Sequence, residues 1–232
     1  MNTLIITSCT GKKKEKPDNQ LTQKDFMDGK LLIKREKELK EYITPAAKMY
    51  TGDQHIKLMN GISSLREKYH KKGLDLAIVS AGYGLIKENQ KIAPYEVTFN
   101  DMKTSEIKQW SEHLKIPENL EKMIKGYDLI IFLLGDKYLR ALKLPLNNIK
   151  PKQKLVFLAS KTSKKLIPSN HPCYFLEVGK KEAKDFKYGL VGLKGHLFKL
   201  LSKEIIENDK NLLEKIYQEP EVFMKALSKY KN

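Results

Sequence analysis

Hydrophobic positions recur along this chain in two patterns. Largely apolar runs at Leu4–Thr7, Leu76–Val79, Asp128–Leu134, Lys154–Ala159 and Tyr174–Val178 are short and rich in β-branched or aromatic residues, so each predicts a strand. Between and after them, apolar residues return every three or four positions and predict helices. Asp25–Tyr42 carries Phe26, Leu31, Leu32 and Leu39, enough for one or two helices. A helix capped by Asp53 is expected to run to about His70 and to bury Ile56, Met59, Ile62 and Leu65. Further helices are predicted from Thr104 (Ile107, Trp110, Leu114), from Pro117, over Gly189–Ile206 (Leu193, Leu197, Leu200, Leu201) and from Asn208 onward. Alternating strands and helices indicate an α/β protein with a central, largely parallel sheet flanked by helices and a helical C-terminal region. The expected division is an α/β domain over residues 1–206, with residues 207–232 as a helical extension packed on it.

One stretch breaks these periods. After Val79 the sequence reads Ser80-Ala81-Gly82-Tyr83-Gly84, and a polar excursion then leads to Ile92-Ala93-Pro94-Tyr95-Glu96. The two glycines permit backbone angles and close approaches that other residues resist. Pro94 stiffens the segment that presents Tyr95 and Glu96. Ser80, Tyr83, Tyr95 and Glu96 are therefore expected to line one concavity at a strand's carboxyl end, where open α/β sheets hold ligands.

The SAxYGL segment at Ser80–Leu85 and the IxPYE segment at Ile92–Glu96 resemble the core signature of the YaaA-like superfamily, which includes the peroxide-stress YaaA proteins. Fainter likenesses occur at Leu4–Cys9, Phe157–Ser160 and Gly189–Lys203. The resemblance implies an α/β protein that binds DNA, and it implies no particular reaction.

Charge adds a second pointer. With 44 Lys and Arg against 28 Asp and Glu, the net charge is +16, a composition that attracts polyanions. A Lys-rich proteome writing ordinary solvated faces would produce the same bias. Basic turns follow two of the strands: Lys12, Lys13 and Lys14 after the first, and Lys161, Lys164 and Lys165 after the fourth. In a parallel sheet both fall on the same rim. Ser8 and Gly11 place small groups beside the first turn, although the GxxxxGK[ST] phosphate loop is absent. Lys194 and Lys199 lie on the Gly189–Ile206 helix as a phosphate-tracking stripe or a solvated face.

Other classes recede. No apolar run approaches the roughly 20 residues of a membrane-spanning helix, and no signal-peptide pattern precedes the first strand. Cys9 and Cys173 suit a reducing cytoplasm and are expected to be packing thiols. His171-Pro172-Cys173 is not a metal site by spacing, and five histidines with two cysteines offer no other ligand pair. His55 reads as a surface or satisfied histidine with a catalytic role as the alternative, and Trp110 as core with base stacking as the alternative. No cofactor motif is present.

Chemistry that fits is hydrolysis of an N-glycosidic bond, in which one carboxylate stabilises the oxocarbenium-like sugar and orients water. Glu96 or Asp136 is the expected carboxylate, with Ser8, Ser80, Tyr83, Tyr95 and Tyr138 shaping a pocket for a flipped base in double-stranded DNA. The expected function is a metal-independent DNA glycosylase. Its rivals are a non-catalytic DNA-binding stress protein and a nucleoside or nucleotide enzyme.

Overall fold

The computed structural model describes residues 1–70, 73–147, 149–170 and 172–231. In chain order its regular elements begin with β1 (Thr3–Ser8), α1 (Gln23–Met27), α2 (Gly29–Glu38), β2 (Thr44–Pro45), α3 (Ala46–Met49) and α4 (Asp53–Tyr69). Next come β3 (Leu74–Ser80), β4 (Gly84–Lys87), β5 (Lys91–Ile92), α5 (Thr104–His113), α6 (Ile116–Ile124), β6 (Leu129–Leu133) and α7 (Asp136–Ala141). The remainder is β7 (Lys154–Ala159), β8 (Cys173–Glu177), α8 (Lys180–Asp185), α9 (Leu193–Glu207), α10 (Leu212–Gln218) and α11 (Val222–Ala226).

Six strands form one sheet in the order β4-β3-β1-β6-β7-β8. All pairings are parallel except β3 with β4. The five apolar runs thus become the five parallel strands. Their near-continuous hydrophobicity reflects a sheet covered on both faces: β6 is buried at every position. The antiparallel β4 is a departure from expectation. Gly84, at φ 73°, turns the chain back on itself, so that Ser80 pairs with Gly84 and Val79 with Leu85. The polar excursion after the central motif is therefore the far end of an edge hairpin. A separate two-stranded ribbon joins β2 to β5.

Helix α4 packs along α9. Its buried face is Gln54, His55, Leu58, Gly61, Ile62 and Leu65, which corrects the expected stripe: Ile56 is 44% exposed. The reason lies in the partner. A Cβ at Gly61 would sit 2.7 Å from Ser202 Oγ and 3.0 Å from Lys199 Cα, so the tight approach of α9 at this point favours a glycine, and the face carrying Ile56 turns outward. Helix α4 begins after Gly52, with Asp53 as its first residue rather than its cap. Helix α9 starts at Leu193, four residues later than expected.

The C-terminal helices belong to the same hydrophobic core. Leu212, Ile216, Phe223 and Leu227 are buried, and Lys154 and Tyr217 donate hydrogen bonds that tie α10 to the start of β7. No helix among the described residues is long and apolar enough to cross a membrane.

Candidate active site at the carboxyl edge of the sheet

The chain leaves β1, returns through α4 to β3 on one side, and later crosses to β6 on the other side. The carboxyl ends of β1 and β6 are therefore the point at which the strand order reverses, where backbone diverges and a crevice opens. A cleft of about 750 Å³ lies there, within the range of small-molecule sites. Its floor is built by Gln54, whose amide donates to Thr7 Oγ1 and to the Leu133 carbonyl, both at 3.0 Å. One side chain thus straddles the two strand ends. Thr10 closes the β1 loop against the start of α4 by accepting from the Gly52 N–H at 3.1 Å. Gly52 is required, because a Cβ there would meet Thr10 Cβ at 2.6 Å.

Opposite, the turn Phe99–Asp101 delivers Asn100 and Asp101 to the cleft. It is anchored from both directions. Phe99 is fully buried and packs edge-on against Tyr138 at 5.3 Å. Lys137 Nζ donates to the Met102 carbonyl at 2.5 Å. Asp101 has no hydrogen bond or ion pair among the described residues. The second carboxylate lining the cleft is Asp53, which accepts the Tyr188 hydroxyl at 2.8–2.9 Å. Burial, reinforced by that carboxylate, pushes the Tyr188 phenol up to about 12.

Cations reach the cleft from two sides, Lys12 from the β1 loop and Lys194 from the first turn of α9. Burial pushes the Lys194 amine down to about 8. Cys9 lies between Ser8 and Thr10, with Sγ 3.2 Å from the Tyr138 hydroxyl. Burial, with Cys9 as the second cause, raises the Tyr138 phenol far above its usual range.

The expected site residues divide sharply. Ser8, Tyr138, Lys12 and Lys194 line the cleft. Ser80, Tyr83, Tyr95 and Glu96 do not form the concavity expected of them. Ser80 and Tyr95 are wholly buried, joined at 2.7 Å, and Tyr95 continues to Tyr50 at 2.9 Å. The Ser80 hydroxyl also accepts the N–H groups of Gly82 and Tyr83, which holds the turn into β4. Tyr83 donates to Glu36 at 2.8 Å and accepts from the Ala93 N–H. Burial raises all three phenols, Tyr50, Tyr83 and Tyr95, well beyond the usual tyrosine range. These are structural bonds, and the Tyr50 and Tyr95 rings are buried away from any base.

Glu96 is exposed. Tyr95 must point inward to reach Ser80, and alternation along an extended segment then turns Glu96 out. It lines a separate depression of about 340 Å³ with Gln23 and Glu106. Thr98 and Asp101 border both hollows. Asp136 sits in the first turn of α7, ion-paired to Arg140 Nε at 2.8 Å and accepting from Ser163 at 3.3 Å; it does not line the cleft.

The basic turns do share one edge, since β1 and β7 run parallel within the sheet. Of them, only Lys12 enters the cleft. Lys13 lies over the Tyr95 ring at 4.3 Å, and desolvation lowers its amine. Lys14, Lys161, Lys164, Lys165 and Lys199 are exposed outside the cleft. Lys194 therefore parts company with Lys199, and the two do not form one stripe.

Trp110 is core, donating to the Ala81 carbonyl at 2.7 Å. His55 is buried with Nε2 on the Ala47 carbonyl, but its Nδ1 has no partner. Burial pushes the Cys173 thiol up to about 11, while His171 lies outside the described residues. Among the described residues no group of three or more His, Cys, Asp or Glu is placed to hold a metal ion.

Sequence reasoning missed Asp101 and Asn100 and read Asp53 only as a helix cap. The available signal was position: Asn100-Asp101 follows the central motif directly, and Gly52-Asp53 opens α4, the long helix that leads back to β3.

No curated protein matches this sequence. Among solved structures, an azoreductase from Bacillus anthracis str. Sterne is 7% identical over 88% of this chain and 100% of its own, with a TM-score of 0.34, too loose a likeness to carry an argument. A family model described as "Family of unknown function (DUF6884)" matches residues 31–166, more than half of the chain and a span that holds Asp53, Asn100, Asp101 and Tyr138. The chain belongs to this DUF6884 family.

Proposed function

We propose that this protein acts on DNA and hydrolyses the N-glycosidic bond of a damaged or modified nucleotide held in the β1–β6 cleft. The observation that supports this reading is the Asp101 carboxylate, unpaired in a cleft that also presents lysines and an amide. Breaking a glycosidic bond leaves positive charge on the sugar, which a carboxylate stabilises as it orients the attacking water. Asp101 takes that role, with Asp53 as the second carboxylate. Asn100 has both a donor and an acceptor for a base edge. Lys12 is placed for a backbone phosphate, and the net charge of +16 supplies the longer-range attraction to a polyanion. The YaaA-like resemblance points to the same class of partner.

The test is an alkali-cleavage assay on labelled duplexes carrying normal, oxidised, deaminated, alkylated or glucosylated bases, with EDTA present. Strand breaks at the modified base after alkali treatment, reduced at least about a hundredfold by Asp101→Asn, are expected. Binding without breaks on every duplex overturns the glycosylase reading in favour of a non-catalytic DNA-binding protein. The cleft's volume favours a second reading, a nucleoside or nucleotide hydrolase. That enzyme would release base from free nucleotides and keep its activity at high salt, whereas activity on DNA falls steeply with salt.

A further inference from the structure

Lys194 is held in place by the way two helices begin. Gly192 lies so close to Asp53 that a Cβ there would stand 1.7 Å from Oδ2, and a Cβ at Gly195 would stand 2.1 Å from the Gln54 carbonyl. These two glycines seat the first turn of α9 directly on the first turn of α4. Leu193 and Leu197 are fully buried, which fixes the rotation of α9, and Lys194 is left lining the cleft.

Its amine has nothing to pair with. Among the described residues no carboxylate forms an ion pair with Lys194 and no acceptor takes its protons. Asp53, a carboxylate that also lines the cleft, is engaged by Tyr188. Lys194 is only half-buried, yet it lies in the cleft without a counter-charge, and an ammonium partly withdrawn from water and left unpaired is costly. Desolvation of this kind makes the neutral, nucleophilic amine accessible near neutral pH. An amine in that state within a cleft of nucleotide size calls for an electrophile.

We propose that Lys194 is a covalent nucleophile that forms an imine with the C1′ aldehyde of an abasic deoxyribose in DNA, giving the protein a strand-cleaving activity. This rests on the DNA reading of the same cleft. The Nζ lone pair adds to C1′, the carbonyl oxygen takes up protons, and one water leaves as the C=N bond forms. Loss of the C2′ proton to water then breaks the C3′–O bond, releasing the downstream strand with a 5′-phosphate. Hydrolysis of the imine restores the amine and frees an unsaturated aldehyde on the upstream strand. No oxidant or reductant is consumed.

The experiment uses the full chain and a labelled duplex with a single abasic site prepared beforehand, in EDTA with sodium cyanoborohydride to reduce any imine. A protein–DNA adduct stable to denaturing electrophoresis is expected, mapped by mass spectrometry to Lys194. It is lost in Lys194→Ala and in Lys194→Arg, and retained in Lys180→Ala, with all three variants melting as cooperatively as the parent. An adduct on another amine overturns the proposal, as does one that persists in Lys194→Ala. So does a duplex that is bound without any adduct, in which case Lys194 is a phosphate contact only. Mapping on the unmutated chain keeps the test decisive even if a variant misfolds. Because the abasic site is supplied, an adduct without excision of modified bases would sink the glycosylase reading alone, and excision without an adduct would sink this one alone.

Discussion

Two polar regions sit at the carboxyl edge of the same sheet and differ in one respect. Around the central motif, the Ser80, Tyr95 and Tyr50 hydroxyls form a buried chain, and Tyr83 is held between Glu36 and the Ala93 N–H. In the β1–β6 cleft, Asp101 and Lys194 have no such partners. The first region spends its polar groups on holding the β3–β4 hairpin and the Pro94 segment together. The second leaves them facing a cavity of about 750 Å³. Asp101 is exposed and Lys194 half-buried at the cleft, so both stay open to a ligand, whereas a group already saturated by protein has little left to offer a substrate.

Substitutions can break this contrast, beginning with the largest effect. Asp101→Asn should lower base excision by about 10² to 10⁴-fold while leaving the melting temperature nearly unchanged. Equal activity in the mutant would remove the cleft from the argument. Tyr95→Phe leaves the Ser80 and Tyr50 hydroxyls short of a partner in the core, so it should cost about 1–3 kcal/mol. For a chain of this size that is a fall of roughly 2–10 °C in a calorimetric melt, with excision per folded molecule unaltered. A catalytic loss beyond the folding loss would return the central motif to the active site.

Lys194→Met removes an enclosed charge and should stabilise the protein by about 1–2 kcal/mol at pH 7, after discounting for partial solvent access. The sign follows from linkage. The folded amine titrates near 8 and the unfolded one at 10.5, so below 8 both forms are charged and the parent bears the full penalty. Between 8 and 10.5 the unfolded chain binds more protons, the parent regains stability, and the advantage of the methionine disappears. Denaturant melts at pH 7 and pH 10.5 check this, and an advantage that is constant with pH would place the amine in water. The smallest effect is Glu96→Gln: the side chain is exposed and off the cleft, so stability should change by less than about 0.5 kcal/mol and excision by less than about twofold. A catalytic collapse there would reverse the comparison outright.

Much of this architecture is legible in the amino-acid sequence. The five apolar runs became the five parallel strands because a sheet covered on both faces demands continuous hydrophobicity, a signal that survives any detail of packing. Trp110 is core because it recurs at helical spacing with Ile107 on the buried face of α5. Ile56 was misread because the stripe on α4 is decided by how closely α9 approaches Gly61, and a single helix's periodicity does not report its partner. Edge strand β4 was missed because its four residues, Gly84–Lys87, are too short to show a period. The candidate site was read least well. A glycine-and-tyrosine motif attracts attention as chemistry, yet here it builds a turn, while Asp101 carries no local signature at all.

What the amino-acid sequence determined by itself was the class of fold, the carboxyl edge at which the strands end in polar loops, and the net positive charge. Each depends only on composition and on the order of residues along the chain. Tertiary structure alone decided which polar groups are spent and which are free. Partners such as Tyr95 with Ser80, or Lys137 with Met102, are distant in sequence and are chosen by crossover and packing. Lys12, Asp53, Asp101 and Lys194 meet only because the chain reverses its strand order between β1 and β6, and no stretch of residues read along the chain records where that reversal brings its ends together.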